Sequence, residues 1–488
     1  METSVNDKCK FSLLESVVNK LLPISLFSGS FISLLLSFFL YPIFGNDENL
    51  RLLISGAINS CITLIMFCYF VRIFIKSRDK IKILLVGIIP IVWILFSVDA
   101  IIKYDFSMDM LFQLAQFGVF GMQMYFTAII LVTENKFEKF IQYFDYYGMI
   151  LIPFCVFYII RYFVGEWTEQ NPLNCFAGMT YMTLAFVFLP IIVVMLCQYY
   201  LFDIKKCKKI FHICTSILFW IVIVFSGTRS AIVWVFFFLI ILFIFNLLLK
   251  INRSKSIAII SMLIVGIFVV CTYAVLPKST GHEVRSSNFN YDAEIYNNEA
   301  KKNIEIYDED SNVKKIHVQD FYFDYLVKNN QNKDKSIKEL HTNKKDGHAI
   351  LNFKSDYDEK QFESYEMYFG RSILFKLSLE ESKKALILGN GSNYYQNKYD
   401  NYPHNSFLEM LCDFGIIGTL ILVGTIIFVL IKLIPIAIKN KQVCVVLLIC
   451  LMWVPISCLS GTLYLNYNLV FSISFGIACI LFKGRLKQ

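Results

Sequence analysis

Apolar runs long enough to cross a bilayer recur along this chain, divided by short polar connections. A helix of about 20 apolar residues spans a hydrocarbon core of about 30 Å. Twelve such runs can be marked, at 21–44, 52–75, 82–102, 109–133, 145–164, 175–201, 210–226, 229–249, 256–276, 411–434, 442–460 and 464–483. The pattern predicts an all-α polytopic membrane protein of about twelve transmembrane helices. One polar stretch is far longer than the rest: residues 277–403 lie between the ninth and tenth runs. Three regions follow: nine spans over 1–276, the large loop 277–403, and three last spans over 404–488. No internal repeat is evident.

Within the loop, Pro277 to about Tyr365 is rich in Asn, Lys, Asp and Tyr, and leaves open whether it is a small appended fold or partly disordered. Phe369–Lys384 reads as an amphipathic helix, with Phe369, Ile373 and Leu377 at four-residue spacing and Glu380/Glu381 opposite. Lys383 and Lys384 suit the negative end of its dipole. A short apolar run, Ala385–Leu388, is closed by Gly389-Asn390-Gly391, a turn signal. The loop then ends at Pro403-His404-Asn405-Ser406, where the tenth apolar run begins.

Composition supports the membrane reading. The chain has 488 residues, 56% hydrophobic and 17% charged, against about 25% charged in soluble domains. Its net charge of +8 sits in short clusters between apolar runs, which excludes a nucleic-acid surface and points to topology instead. The first apolar run is too long for the core of a cleavable signal peptide. None of the 14 cysteines lies between Pro277 and Pro403, so that segment has no disulfide framework or cysteine metal site.

Lys and Arg favour the cytoplasmic side of short loops. With the N-terminus inside, every second connection is basic: Lys76/Arg78/Lys80/Lys82, Lys136/Lys139, Lys205/Lys206/Lys208/Lys209, Lys250/Arg253/Lys255, Lys432/Lys439/Lys441, and the tail Lys483/Arg485/Lys487. The opposite short connections hold few basic residues, chiefly Arg51 and Lys103, and are instead acidic, with Asp47, Glu48, Asp99, Asp105, Glu166 and Glu169. The expected sidedness is therefore cytoplasmic N- and C-termini, with 226–230 and 277–403 on the outer face.

Two residue types then carry candidate chemistry. Arg229 follows Gly227 and Thr228 and precedes Ser230, small residues that leave a guanidinium accessible. A guanidinium pairs its rigid fork of donors with phosphate oxygens, so a lipid-linked diphosphate is the ligand type expected. Arg161, near the outer end of the fifth span, reads either as an interfacial anchor or as a second contact of that kind. His404, at the last passage from outer face to membrane, carries a group able to take a proton near neutral pH. Asn405 and Ser406 stand beside it, and Glu409 and Asp413 complement the positive end of the following helix. Gly415 and Gly418 are packing positions that let another segment approach closely. Gly389-Asn390-Gly391 is too short for a phosphate loop, and no carboxylate pair with metal-site spacing appears on the outer face.

His404-Asn405, with Gly415 and Gly418 following, resembles the signature of the O-antigen ligase and polymerase superfamily, bacterial integral membrane glycosyltransferases. Ser226-Gly227-Thr228-Arg229-Ser230-Ala231 resembles the family's outer-face arginine motif, and Arg371, ahead of Gly389-x-Gly391, resembles its second arginine in the large loop. The resemblance covers about 222–435; Ile373/Leu374 stand where the family usually carries an aromatic. It implies a metal-independent, cofactor-free inverting transfer at the outer face of the bacterial cytoplasmic membrane. The donor would be a glycan on undecaprenyl diphosphate, and the acceptor a glycan or a lipid. Arg229 and Arg371 would stabilise the leaving diphosphate, and His404 would orient or deprotonate the acceptor hydroxyl. Arg161, Thr228, Asn405 and Ser406 would contact substrate. Membrane lipids, a chain-length regulator and a flippase of the same pathway are the implied partners. Three functions stay open: a polymerase joining repeat units into O-antigen, capsule or exopolysaccharide; a ligase passing the glycan to lipid A core or protein; and a transporter or flippase.

Overall fold

A computed structural model describes residues 2–44, 48–103, 108–164, 181–225, 229–248, 266, 303–307, 313–317, 374–375, 377–399, 402–460 and 463–486. The predicted ninth span apart from Gly266, most of the large loop, Thr228 and Arg371 lie outside these residues. The loop's described remainder includes one antiparallel hairpin, β1 (Asn303–Tyr307) and β2 (Val313–His317), in register from Asn303↔His317 to Tyr307↔Val313. This is the departure from an all-α chain.

Everything else described is helix, turn or short connection. The helices are α1 (Glu2–Ser25), α2 (Ser28–Phe44), α3 (Glu48–Lys76), α4 (Lys80–Lys103), α5 (Met108–Thr133), α6 (Phe137–Val164), α7 (Tyr181–Leu201), α8 (Lys206–Phe225) and α9 (Arg229–Leu248). After the loop come α10 (377–384), α11 (Tyr394–Tyr399), α12 (Ser406–Lys439), α13 (Lys441–Ser460) and α14 (Tyr467–Leu481). Among the described residues, four helical stretches are long and apolar enough to cross a membrane: Leu53–Lys76, Phe137–Ile160, Lys206–Val224 and Ser406–Lys439. A fifth arises if the bent pair α1–α2 is one span. The chain is a multi-pass membrane protein.

The core explains the apolar runs. Val187–Cys197 of α7 and Val443–Ile449 of α13 are buried on every side, as expected of a helix that is apolar all round and sits inside a bundle. α14 packs on α5 and also touches α4, α12 and α13. A second apolar cluster joins Trp93, Met410, Leu422, Leu463, Tyr464, Leu469, Val470 and Ile473, and supports the start of α12.

The first predicted span, 21–44, is two helices. α1 and α2 meet at 90° across Leu26 and Phe27. Gln123 of α5 explains the break: its amide donates to the Ser25 carbonyl at 2.9 Å and to the Ser28 hydroxyl at 2.8 Å. Ser25 and Thr127 also share a hydrogen bond of 2.7 Å. The fifth predicted span likewise begins earlier than its apolar run, at Phe137, and takes Asp145 into the core. There Asp145 meets Gln198 at 2.7 Å, Lys208 at 2.6 Å and His212 at 3.0 Å. A buried charge is tolerated when it is paired and hydrogen-bonded, and hydropathy alone does not register that compensation.

Candidate functional site

The junction at His404 is built from four segments. Asn405 caps α12: its side-chain oxygen accepts the N–H groups of Phe407 at 3.0 Å and Leu408 at 3.2 Å, satisfying two orphan donors of the first turn. His404, just ahead of it, sits in the left-handed region at φ 51°. A non-glycine residue there costs roughly 1–2 kcal/mol, and such strain persists only where the surroundings impose it. The His404 ring is half-buried and packs 4.2 Å from the Tyr402 ring.

The first nine residues of α12 are amphipathic in reverse of the usual chemistry. Ser406, Glu409, Met410 and Asp413 share one face, and all four are buried. The carboxylates are bonded, not merely placed near a helix dipole. Glu409 accepts the Leu463 N–H. Asp413 accepts the Tyr464 hydroxyl at 2.7 Å and the Tyr395 N–H at 3.2 Å. The Tyr464 hydroxyl in turn accepts the Asn393 N–H. Asn466, which caps α14 through Leu469 N–H at 3.2 Å, reaches Ser406 Oγ at 3.5 Å. α4 joins the cluster: Trp93 Nε1 donates to the Leu463 carbonyl at 3.2 Å, and Ser392 donates to Asp99 at 2.6 Å.

α12 then breaks at Gly415, whose φ of 65° and ψ of −166° are not helical. The turn 385–391 fills the break. Asn390 N–H and Gly391 N–H donate to the carbonyls of Cys412 at 3.0 Å and Asp413 at 2.8 Å, ending the first piece. The carbonyls of Leu386 and Ile387 accept Ile416 N–H at 2.9 Å and Ile417 N–H at 3.2 Å, starting the second. The Asn390 amide adds bonds to the carbonyls of Cys412 at 2.9 Å and Glu381 at 3.1 Å. Only glycine fits at the two contact points. A Cβ on Gly415 would lie 2.4 Å from the Ile387 oxygen, and one on Gly389 would lie 2.3 Å from the Asp413 oxygen. Gly415 is therefore a break point, where packing alone was expected. A Cβ on Gly418 would lie 2.4 Å from Phe414 Cβ, one turn earlier on α12 itself, so the crowding there comes from within the broken helix and not from another segment.

α10 and α11 clamp this arrangement from above. Ser378 donates to the Leu408 carbonyl at 3.0 Å, and the Tyr395 hydroxyl to the Leu374 carbonyl at 2.9 Å. Glu380 is exposed and pairs with Lys383 at 2.7 Å. Glu381, expected on that same polar side, is buried. It accepts from Lys384 at 2.7 Å, Lys398 at 2.8 Å and the Tyr394 hydroxyl at 2.7 Å. Burial presses the Lys384 ammonium down, but its bond and charge interaction with Glu381 and its contact with Lys398 together hold it above the usual lysine value. Burial wins at Lys398, which falls below it. Burial also raises the Tyr395 hydroxyl.

Of the residues expected at the site, His404, Asn405 and Ser406 stand at the start of α12, and Gly389 and Gly391 meet the same helix further along, at its break at Gly415. Arg161 lies on α6 and Arg229 opens α9; their side chains, like Thr228 and Arg371, are outside what is described. Glu409 and Asp413, which the sequence marks as dipole charges, and Glu381, which it marks as a polar-face charge, are instead buried and bonded. The Ser406/Glu409/Asp413 spacing on one face of an otherwise apolar helix was the available signal. Tyr464, Asn393 and Asn466 had none, because they meet the site only through folding. No family model matches the chain, and no curated protein matches it.

Proposed function

We propose that the chain is a metal-independent inverting glycosyltransferase that joins undecaprenyl-diphosphate-linked oligosaccharide repeat units at the outer face of the bacterial cytoplasmic membrane. One observation carries this reading: residues far apart in sequence that suggested the family converge on one feature. His404-Asn405 starts α12, and Gly389-Asn390-Gly391 locks into that helix at Gly415. The twelve spans, the cytoplasmic termini and the outer position of 277–403 belong to the same proposal and rest on the alternation of basic connections.

In this reading the acceptor hydroxyl oxygen attacks the anomeric carbon from the face opposite the diphosphate. The new glycosidic C–O bond forms as the bond from that carbon to the diphosphate oxygen breaks. His404 takes the hydroxyl proton. Undecaprenyl diphosphate leaves with the electron pair, its charge met by Arg229 and Arg371, with Arg161 and Thr228 as further contacts. Asn405 works by fixing the backbone that presents His404. Two guanidiniums in a site shielded from water stabilise developing charge far better than they would in solution.

The deciding experiment is the glycan profile of cells lacking the protein, complemented with the wild type, His404→Ala or Arg229→Ala. Lipid A core bearing single repeats indicates a lost polymerase. Long chains stranded on the carrier indicate a ligase, and unchanged glycans with either variant overturn the catalytic assignment.

A further inference from the structure

We propose that the turn 385–388 is inserted into the outer margin of the bilayer, with Leu386, Ile387 and Leu388 in contact with lipid acyl chains. The inference needs the chain to span a membrane; it does not need glycosyl transfer. The exposure of this turn is anomalous for an outer loop. Ile387 is 65% exposed and Leu388 74%. They adjoin a helix face that is itself exposed and apolar, formed by Ile416, Ile417, Leu420 and Ile421 of α12. The two surfaces are continuous because the turn is hydrogen-bonded to Ile416 and Ile417.

Backbone chemistry gives an independent reason. Hydrocarbon offers no partner to a peptide group, so a helix break at membrane depth must be satisfied from within the protein. The break at Gly415 meets that condition. Leu386 and Ile387 carbonyls and Asn390 and Gly391 N–H groups are all spent on α12, and Gly389 N–H closes the turn on the Ala385 carbonyl at 2.7 Å. In an aqueous loop, water would serve these groups equally well.

Depth agrees. At about 1.5 Å per residue, Gly415 lies about 25 Å along the helix from Lys432 and about 36 Å from Lys439. Those lysines belong at the cytoplasmic boundary, so a core of about 30 Å ends close to the break. Lys383 and Lys384, both exposed and directly before the turn, then stand at headgroup level, where an ammonium on an apolar stem is well placed. An acyl surface fits this patch better than a second copy of the chain does, since the patch runs straight into the exposed apolar face of a helix long enough to span the bilayer.

The test places a keto-bearing residue at the turn (Leu388→p-acetylphenylalanine, and separately Ile387→p-acetylphenylalanine) in the full chain and couples a nitroxide to it. The protein is reconstituted in phosphatidylethanolamine–phosphatidylglycerol vesicles. Collisions with oxygen should exceed those with a water-soluble nickel chelate several-fold at both positions. The order should reverse at exposed Asn397, labelled the same way. Nickel collisions dominating at 387 and 388 would show that the turn faces water, and low access to both reagents would show that protein covers it; either result overturns the proposal. Neither changes the glycan profile, so this outcome is separable from the fate of the proposed activity.

Discussion

Among the described residues, two helical runs are interrupted, at α1–α2 and within α12, and they are repaired in different ways. Between α1 and α2 the chain turns by 90°; local turn bonds serve the Leu26 and Phe27 N–H groups, and the Ser25 carbonyl is served by a side chain from another helix, Gln123. In α12 the chain breaks at Gly415, and the freed groups are served by the backbone of the turn 385–391. Side-chain repair needs one polar residue in an apolar run and tolerates ordinary residues at the break. Backbone repair needs two main chains in contact, which excludes a Cβ on either side. The second kind therefore leaves glycines in both partner segments, while the first leaves a lone glutamine that looks like any other.

The largest expected effect comes from putting that Cβ back. Gly415→Ala drives a methyl into the Ile387 carbonyl and forces φ 65° on an L residue. The clash is with backbone, which cannot swing aside, so the loss should be about 3 kcal/mol or more. It would appear as a lower unfolding midpoint in detergent and as lost function in the complementation profile. A variant of wild-type stability would mean that the two backbones do not lock.

Gln123→Leu comes next. It leaves the Ser25 carbonyl without the glutamine donor in an apolar setting, at about 1–3 kcal/mol. Thermal unfolding should register this while the glycan profile stays that of wild type, since α1–α2 lies outside the proposed site. An activity loss with unchanged stability would join the two breaks functionally and end the contrast drawn here.

Tyr464→Phe is smaller, about 1–2 kcal/mol, because Asp413 keeps the Tyr395 N–H. It removes the link between Asp413 and Asn393, so transfer should slow more than stability falls. Equal wild-type turnover would remove the α12 carboxylate cluster from any positioning role.

The smallest effect is expected outside the apolar region, which makes it a control. Asp79 accepts from Arg485 at 2.9 Å and pairs with Lys82 at 3.0 Å. Those bonds, the Lys82 one foremost, hold its carboxyl below the ordinary value. A depressed carboxylate contributes above its unfolded value, about pH 3.9, and loses that contribution as pH falls through the folded one. Strong acid, below about pH 3.9, or Asp79→Asn at neutral pH, should loosen the tail to proteases without moving the main unfolding transition, since exposed pairs count for little. A large shift in that transition would show that polar repair matters as much outside the bilayer as within it.

How much could be read beforehand differs between the same two regions. Around α12 the sequence already displayed His404-Asn405, Gly389-Asn390-Gly391, Gly415 and Gly418, because capping and close backbone approach each demand particular residue types. Their mutual contact was not legible, and Glu381 shows why: helical spacing marked it as opposite the apolar face, and it is buried among Lys384, Lys398 and Tyr394. Spacing reports which residues share a face, not what the face meets.

By itself, then, the sequence determined that the chain is built from membrane-length apolar helices, that its basic connections alternate, and where its caps and obligatory glycines fall. These follow from transfer free energy and backbone sterics, which act locally. Tertiary structure alone decided that the run 21–44 bends, that Asp145 enters the core with three partners, and that Glu409 and Asp413 turn inward to Leu463, Tyr464 and Tyr395. Each depends on a polar group finding a partner from a distant segment inside an apolar medium, and no local pattern encodes that pairing.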